Sequence, residues 1–364
     1  MPPAPLAIFF ANGLLSLDDS LGEAKTMAKR ATKDRVRWGV ISTARIGWEK
    51  VLPGMMKSKD LEIRAIASRA LPNAKKWAKK LGIPVAYGSY EELLDDPEIE
   101  AVYNPLPNHL HVPLTLMAAE KGKHVLCEKP IALSAAEAEK LKSVPSGVLI
   151  AEAFMVRHHP QWQKACELAQ KGKLGTLRAI QTLFSYHLMD PKNVRNIADI
   201  GGGAAYDIGC YPIVTARYIF GADPIRAVSL IDRDPNFHTD RTTSALIDFG
   251  EGRHLTFTTS TQATPYQCVH ILGSKARLEV EIPFNAPQGG AMRLYLDDGS
   301  KFAGAAAKTI KLDKADQYQL QGEAFSRAVR GKEKLADGVD DAIMQMRVID
   351  AIFRSEKTNN WETV

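Results

Sequence analysis

Four side chains in two short stretches could manage a proton between them. Glu128 and Lys129 end the run Lys123-His124-Val125-Leu126-Cys127-Glu128-Lys129-Pro130. Asp207 and Tyr211 lie four apart in Gly201-Gly202-Gly203-Ala204-Ala205-Tyr206-Asp207-Ile208-Gly209-Cys210-Tyr211. Oxidising a carbinol needs a base for the hydroxyl proton while hydride leaves, and reduction needs the same group as an acid. Free tyrosine and lysine both titrate near ~10, so either must be tuned to act at neutral pH. An ammonium close by favours tyrosinate; Lys129 would thus assist Tyr211 as the acid/base, with Asp207 orienting the substrate hydroxyl or Lys129 itself. On a helix, residues four apart stack roughly 6 Å apart along one face, which sets Asp207 beside Tyr211. The plainer reading of Glu128 and Lys129 is a salt-bridging surface loop, since charged residues are mostly exposed.

The elements around these residues decide between the readings. Residues 36–42 read as a buried strand that turns into a helix at Thr43-Ala44-Arg45-Ile46-Gly47, and strands at 61–67, 85–87, 100–103, 124–127 and 147–153 alternate with helices at 73–81, 90–94, 110–121 and 135–142. That alternation means right-handed βαβ units and a doubly wound parallel sheet. In such sheets ligands sit at the carboxyl ends of the strands, where Glu128 and Lys129 fall. The first turn, Ser42-Thr43-Ala44-Arg45-Ile46-Gly47, keeps only the last glycine of the dinucleotide fingerprint G-x-G-x-x-G. Small residues at 42 and 44 still let backbone approach a pyrophosphate at the helix start, although a plain strand-turn-helix fits as well. Ser68 and Arg69 stand where an enzyme using NAD places its ribose-binding acid, about 20 residues past the glycine motif. A hydroxyl and a guanidinium there suit the 2′-phosphate of NADP, which a carboxylate would repel; alternatively Arg69 begins a solvated loop.

Beyond residue 154 the pattern changes to strand-like runs at 174–186, 227–231, 243–249, 254–259, 269–272 and 277–282, separated by hairpin-length gaps. The expected fold is α/β plus α+β: a Rossmann sheet over 35–154, then a domain over 155–364 built on an open, mostly antiparallel sheet. Helices at 317–330 and 340–355 are expected to close this second domain. Residues 1–34, with Pro2, Pro3 and Pro5 before an apolar patch, read as an N-terminal extension or an arm, and lack a clear signal-peptide pattern. The 364 residues carry 24% charged and 45% hydrophobic side chains with a formal net charge of +5, and no basic tract or membrane span. Nucleic-acid and membrane partners are therefore not expected. Cys127, Cys166, Cys210 and Cys268 show no pairing or zinc-type spacing, so reduced thiols and no metal are expected; a cytoplasmic location fits, with the periplasm left open.

Together, Glu128-Lys129-Pro130, the loop 104–111, Glu152-Ala153-Phe154-Met155 with Arg157 and His159-Pro160, and Gly201 to Tyr211 resemble the glucose-fructose oxidoreductase and inositol dehydrogenase (Gfo/Idh/MocA) family over roughly 36–356. Ser-Thr-Ala-Arg-Ile after the first strand, paired with Tyr211, resembles the branch holding dimeric dihydrodiol dehydrogenases, NADP-dependent xylose dehydrogenases and aldose oxidoreductases. The inositol dehydrogenase branch typically carries histidine at the position of Tyr211. The resemblance implies hydride transfer between NADP(H) and an aldose or related sugar or polyol, with a homodimer or homotetramer formed through the second sheet. It implies a cofactor site of Ser42, Thr43, Ala44, Arg45, Ile46, Ser68, Arg69, Pro105, Leu106, Asn108, His111, Glu128 and Lys129, with Glu128 on the nicotinamide ribose. Arg157, His187 and Arg195 would join Lys129, Asp207 and Tyr211 around the sugar. Alternatives are a trans-dihydrodiol dehydrogenase, a keto-sugar reductase, or a non-catalytic NADP-binding regulator; retention of Lys129, Asp207 and Tyr211 together speaks against the last.

Overall fold

The computed structural model describes residues 34–364, and Val36–Val364 forms one compact unit. The expectation of an N-terminal arm falls, up to residue 33, outside the described residues. The first sheet has six parallel strands: β1 (Val36–Val40), β2 (Leu61–Ala67), β3 (Val85–Tyr87), β4 (Ala101–Asn104), β5 (His124–Cys127) and β6 (Ile150–Glu152). Their spatial order is β3-β2-β1-β4-β5-β6, the doubly wound arrangement. The order reverses between β1 and β4, so a crevice opens at their carboxyl ends. The connecting helices are α1 (Leu52–Met55, entered through a π-helical turn at Gly47–Val51), α2 (Leu71–Leu81), α3 (Tyr90–Asp95), α4 (His111–Glu120) and α5 (Ala135–Glu139). Two of them start on the S-x-x-E pattern. Ser89 Oγ accepts from Glu92 N and Ser134 Oγ from Glu137 N, both at 3.1 Å, while Glu92 and Glu137 reach back to Gly88 N and Leu133 N.

After α6 (Pro160–Gln170) comes a nine-stranded sheet made of β7 (Leu177–His187), β8 (Arg226–Arg233), β9 (Asp240–Asp248), β10 (His254–Ser260), β11 (Gln262–Gly273), β12 (Arg277–Val280), β13 (Arg293–Asp297), β14 (Lys308–Lys311) and β15 (Glu362–Thr363). Its order is β14-β13-β12-β11-β7-β10-β9-β8-β15. All neighbours are antiparallel except β7 and β10, which run parallel in register from Ala179↔His254 to Ser185↔Ser260. Helix α7 (Cys210–Phe220) covers one face, and Ile180, Thr182 and Phe184 of β7 point toward it. The strands β13 to β15 lie beyond the last strand-like run expected, 277–282.

The closing helices depart from expectation. Helix α8 (Gln317–Val329) returns to the first sheet instead of capping the second: Trp38 Nε1 of β1 donates to Ser326 Oγ at 3.1 Å, and the Trp38 and Phe325 rings lie 5.3 Å apart. Arg330 then forks onto both carboxylate oxygens of Glu100 at 2.9 Å. Helix α9 (Val339–Thr358) spans both sheets, accepting Ala135 N on Asp350 at 2.8 Å and Ser229 N on Ser355 Oγ at 3.0 Å. An apolar helical face identifies a buried helix and says nothing about which sheet buries it.

Candidate active site

Lys129 is the second residue after β5, and Asp207 sits in a π-helical turn, Ala205–Gly209, that runs into α7. The loop before that turn is anchored to the first sheet's crevice: Gly201 takes φ +85°, and Asn108 Nδ2 donates to its carbonyl at 2.8 Å. The two charged residues meet. Lys129 Nζ lies 3.1 Å from Asp207 Oδ1 and also donates to the Asp207 carbonyl, with side chains only 11% and 13% exposed. The other carboxylate oxygen, Oδ2, accepts from Tyr186 OH at 2.6 Å and from Arg195 Nε at 2.9 Å. Burial alone would raise the Asp207 carboxyl, but Arg195, Lys129 and the hydrogen bonds outweigh it and hold it well below the usual carboxylate range. For Lys129, burial works to lower the ammonium, and Asp207 and the neighbouring acids more than offset it, leaving it above its ordinary value. An ammonium has three donors. Two are spent on Asp207, and one remains to reach a substrate oxygen.

Tyr211 takes a different place from the one its spacing implied. It does share a helical side with Asp207, since Lys129 Nζ lies 5.0 Å from the centre of its ring. Its hydroxyl, however, points past the ammonium to Met155 Sδ at 3.6 Å, and the ring packs against Phe154, Phe184 and Phe284 at 5.7, 6.0 and 5.4 Å. Burial, then Cys210, Tyr318, Glu128 and Asp207, push the hydroxyl well above 10. The expectation that Lys129 favours tyrosinate is therefore corrected: the cation meets the negative face of the ring and the hydroxyl lies among apolar and acidic neighbours.

On the cofactor side, Glu128 Oε1 accepts from Tyr103 OH at 2.7 Å, so Tyr103 aims the carboxylate from β4. Burial raises the Glu128 carboxyl against the pull of Lys129. Ser42 Oγ accepts from Ala44 N at 2.9 Å and tightens the turn, and Thr43 Oγ1 accepts from Asn73 Nδ2 of α2 at 2.7 Å. That bond ties the first turn to the segment after β2, where Ser68 is buried and Arg69 exposed. Arg45 is turned outward and paired with Glu49 at 2.7 Å, with Ile46 beside it at the helix start. Pro105 and Leu106 follow β4 and are both buried. His111 is removed from any cofactor contact: its ring nitrogens lie 2.7 Å from Pro130 O and from Leu106 O, and burial brings its pKa down to about 4. As a neutral ring it carries one N–H and donates to one of these two carbonyls, lying between the loop after β4 and the loop after β5.

Two of the expected sugar-binding residues are elsewhere. Arg157 is committed to Asp341 at 2.8 Å and Asp337 at 3.7 Å, and His187 is exposed on the opposite side of β7 from Tyr186. Strand alternation carries the reason: Phe184 and Tyr186 face the helices, so the neighbouring His187 cannot. The signal for Tyr186 lay in that parity. Tyr103, at the same end of β4 as Glu128 is of β5, was legible from the parallel pairing Asn104↔Cys127.

Residues 36–145 match the oxidoreductase family with an NAD-binding Rossmann fold, and residues 162–279 match the GFO/IDH/MocA C-terminal domain. An uncharacterized oxidoreductase of Rhizobium meliloti is 47% identical over 333 residues, covering 91% of this chain and 100% of its own. A D-xylose 1-dehydrogenase (NADP(+)) of Haloferax volcanii is 36% identical over 88% of this chain and 97% of its own. Among solved structures, the 3-ketoreductase KijD10 of Actinomadura kijaniata, crystallised with NADP and TDP-benzene, superposes with a TM-score of 0.82 at 30% identity, covering 88% of this chain and 98% of its own. With the six-stranded dinucleotide sheet, the open second sheet and these matches in hand, the chain belongs to the Gfo/Idh/MocA family of oxidoreductases, enzymes acting on CH–OH groups.

Proposed function

We propose that the protein is an NADP(H)-dependent oxidoreductase that moves hydride between the nicotinamide and a carbinol or carbonyl of an aldose or related sugar, with Lys129 moving the proton. The observation that carries this is the Lys129 ammonium, fixed on Asp207 at the carboxyl end of β5 with one donor unspent. When bound, the cofactor supplies or accepts hydride. The chain's own residues do the rest. Glu128, aimed by Tyr103, is placed to accept from a ribose hydroxyl. Tyr186 and Arg195 keep Asp207 ionised, and Asp207 keeps Lys129 charged and pointed. The apolar ring of Tyr211 limits water beside the ammonium. A charged lysine is an acid at neutral pH, which favours the reductive direction and gives weight to keto-sugar reduction as a second reading. The test is a panel of aldoses, keto-sugars, inositols and dihydrodiols with all four nicotinamide forms, followed by nicotinamide absorbance.

The preference for NADP rests on Ser68 and Arg69, which directly follow β2 where an enzyme using NAD places its ribose-binding acid. Arg69→Ala is expected to raise KM for NADP+ by about tenfold or more, the size of one lost charge-assisted hydrogen bond, and to leave NAD+ nearly unchanged. Equal use of both cofactors by the parent protein would count against the assignment.

A homo-oligomer through the second sheet fits the side of that sheet turned away from α7, where Leu230 is 78% and Tyr266 58% exposed. Leu230→Asp is expected to shift the mass measured by light scattering toward the monomer. A monomeric parent would remove this part of the proposal.

A further inference from the structure

Asp240, the first residue of β9, is buried and has no place in the chemistry described above. Its Oδ2 accepts from Ala205 N at 2.6 Å and from Thr243 Oγ1 at 2.7 Å. Ala205 opens the π-helical turn, and Asp207 follows two residues later. Gly203 has φ +119°, and a Cβ there would stand 1.8 Å from Asp240 Oδ1, so only glycine lets this carboxylate reach the turn. The same turn also fixes Arg195, because Gly203 N donates to Arg195 O at 2.9 Å and Gly202 lies against the carbonyls of Arg195 and Ile197. One carboxylate thus anchors the segment that carries Asp207 and the arginine bound to it.

We infer that Asp240 is a positioning residue that holds the 203–207 turn, and through it Asp207 and Arg195, in register with Lys129. As a role in turnover, this rests on the function proposed above. The groups facing Asp240 are few. Arg233 of β8 is a cation that pulls on it, but it is forked onto Glu356 of α9 at 2.7 and 2.6 Å. Tyr206 of the turn spends its hydroxyl on Leu133 O, and Tyr186 approaches from β7. Asp350, Arg354 and Lys357 of α9 line the same cavity of about 440 Å³. Burial outweighs the hydrogen bonds from Thr243 and Ala205 and the pull of Arg233, and raises the Asp240 carboxyl from 3.8 to about 6. Above that pH it is ionised and its two hydrogen bonds are charge-assisted; as pH falls through it the carboxyl becomes neutral and the hold weakens.

The test compares the parent with Asp240→Ala and Asp240→Asn by amide hydrogen exchange over 203–211, corrected for intrinsic rates, and by turnover across pH, both with NADPH bound. Asp240→Ala is expected to lose protection in that segment and on the order of ten- to a hundredfold in kcat, the scale of a small misplacement of reacting groups, with KM for NADPH little changed. Asp240→Asn keeps a neutral acceptor for Ala205 N, so protection and kcat recover to the level the parent shows below about pH 6, short of the ionised parent, and no longer change with pH through that range. Parent-like protection in Asp240→Ala would overturn the inference. So would an Asp240→Asn variant that keeps the parent's pH response. Protection that follows this pattern in a protein that turns over none of the substrate panel would uphold the anchor and reject the proposed reaction instead.

Discussion

Lys129→Met is expected to lower turnover by about 10²- to 10⁴-fold, the usual contribution of a positioned acid or base, while NADPH still binds. Methionine keeps the apolar stem of lysine against the Tyr211 ring and removes an ammonium that touches Asp207 and has a donor to spare. The remaining partners of Asp207, Tyr186 OH at 2.6 Å and Arg195 Nε at 2.9 Å, still pair its carboxylate through Oδ2, so the fold should survive although Oδ1 loses the ammonium. Tyr211→Phe is the informative contrast. Its hydroxyl contacts only Met155 Sδ at 3.6 Å, a weak acceptor, so the loss in kcat should be small beside that of Lys129→Met. A Tyr211→Phe variant as impaired as Lys129→Met would return the proton-transfer role to the tyrosine.

The second large effect is expected from Asp207→Asn. Three groups converge on this carboxylate, and removing the charge leaves Lys129 buried with its main anionic partner gone. Breaking one side of a buried pair costs about 3–5 kcal/mol, and the part-exposed Arg195 puts this site toward the lower end. The pH dependence carries the sharper signature. In the parent, oxidation requires the neutral amine, so its rate rises with pH toward a Lys129 pKa above the ordinary 10.5, whereas reduction requires the ammonium and falls there. In Asp207→Asn burial still lowers the lysine and the carboxylate no longer raises it, so both limbs move to lower pH. Limbs that stay in place would show that Lys129 is not the titrating group.

Much of this site could be read from residue order alone, and the exceptions have physical causes. The strands β2, β3 and β5 lie at the residues expected for them; β5 is buried along most of its length, as a central parallel strand covered on both faces is, whereas the edge strand β3 is half-buried. The meeting of Lys129 with Asp207 follows from a strand end facing a glycine-rich helix start. What spacing cannot convey is which end of a long side chain does the touching. Tyr211 was placed on the right side of its helix, and its ring rather than its hydroxyl meets the ammonium. His187 and Arg157 were chosen by type. Parity on β7 turned His187 outward in favour of Tyr186, and two aspartates near the start of α9, some 180 residues away in the chain, claimed Arg157. Asp240 was invisible for the same reason, since its partner Ala205 is named only by a backbone N–H.

The most direct test of the account is label transfer from NADPH carrying deuterium at C4 of the nicotinamide. Parent protein is mixed with keto-sugars, aldoses and ketones derived from cyclic diols, and the products are analysed by mass spectrometry and NMR. The account predicts deuterium on the new carbinol carbon of a sugar-type substrate, at a rate that collapses in Lys129→Met although NADPH fluorescence shows the cofactor still bound. Label delivered by Lys129→Met at the parental rate would contradict it, as would a parent that binds NADPH and delivers label to none of these carbonyls.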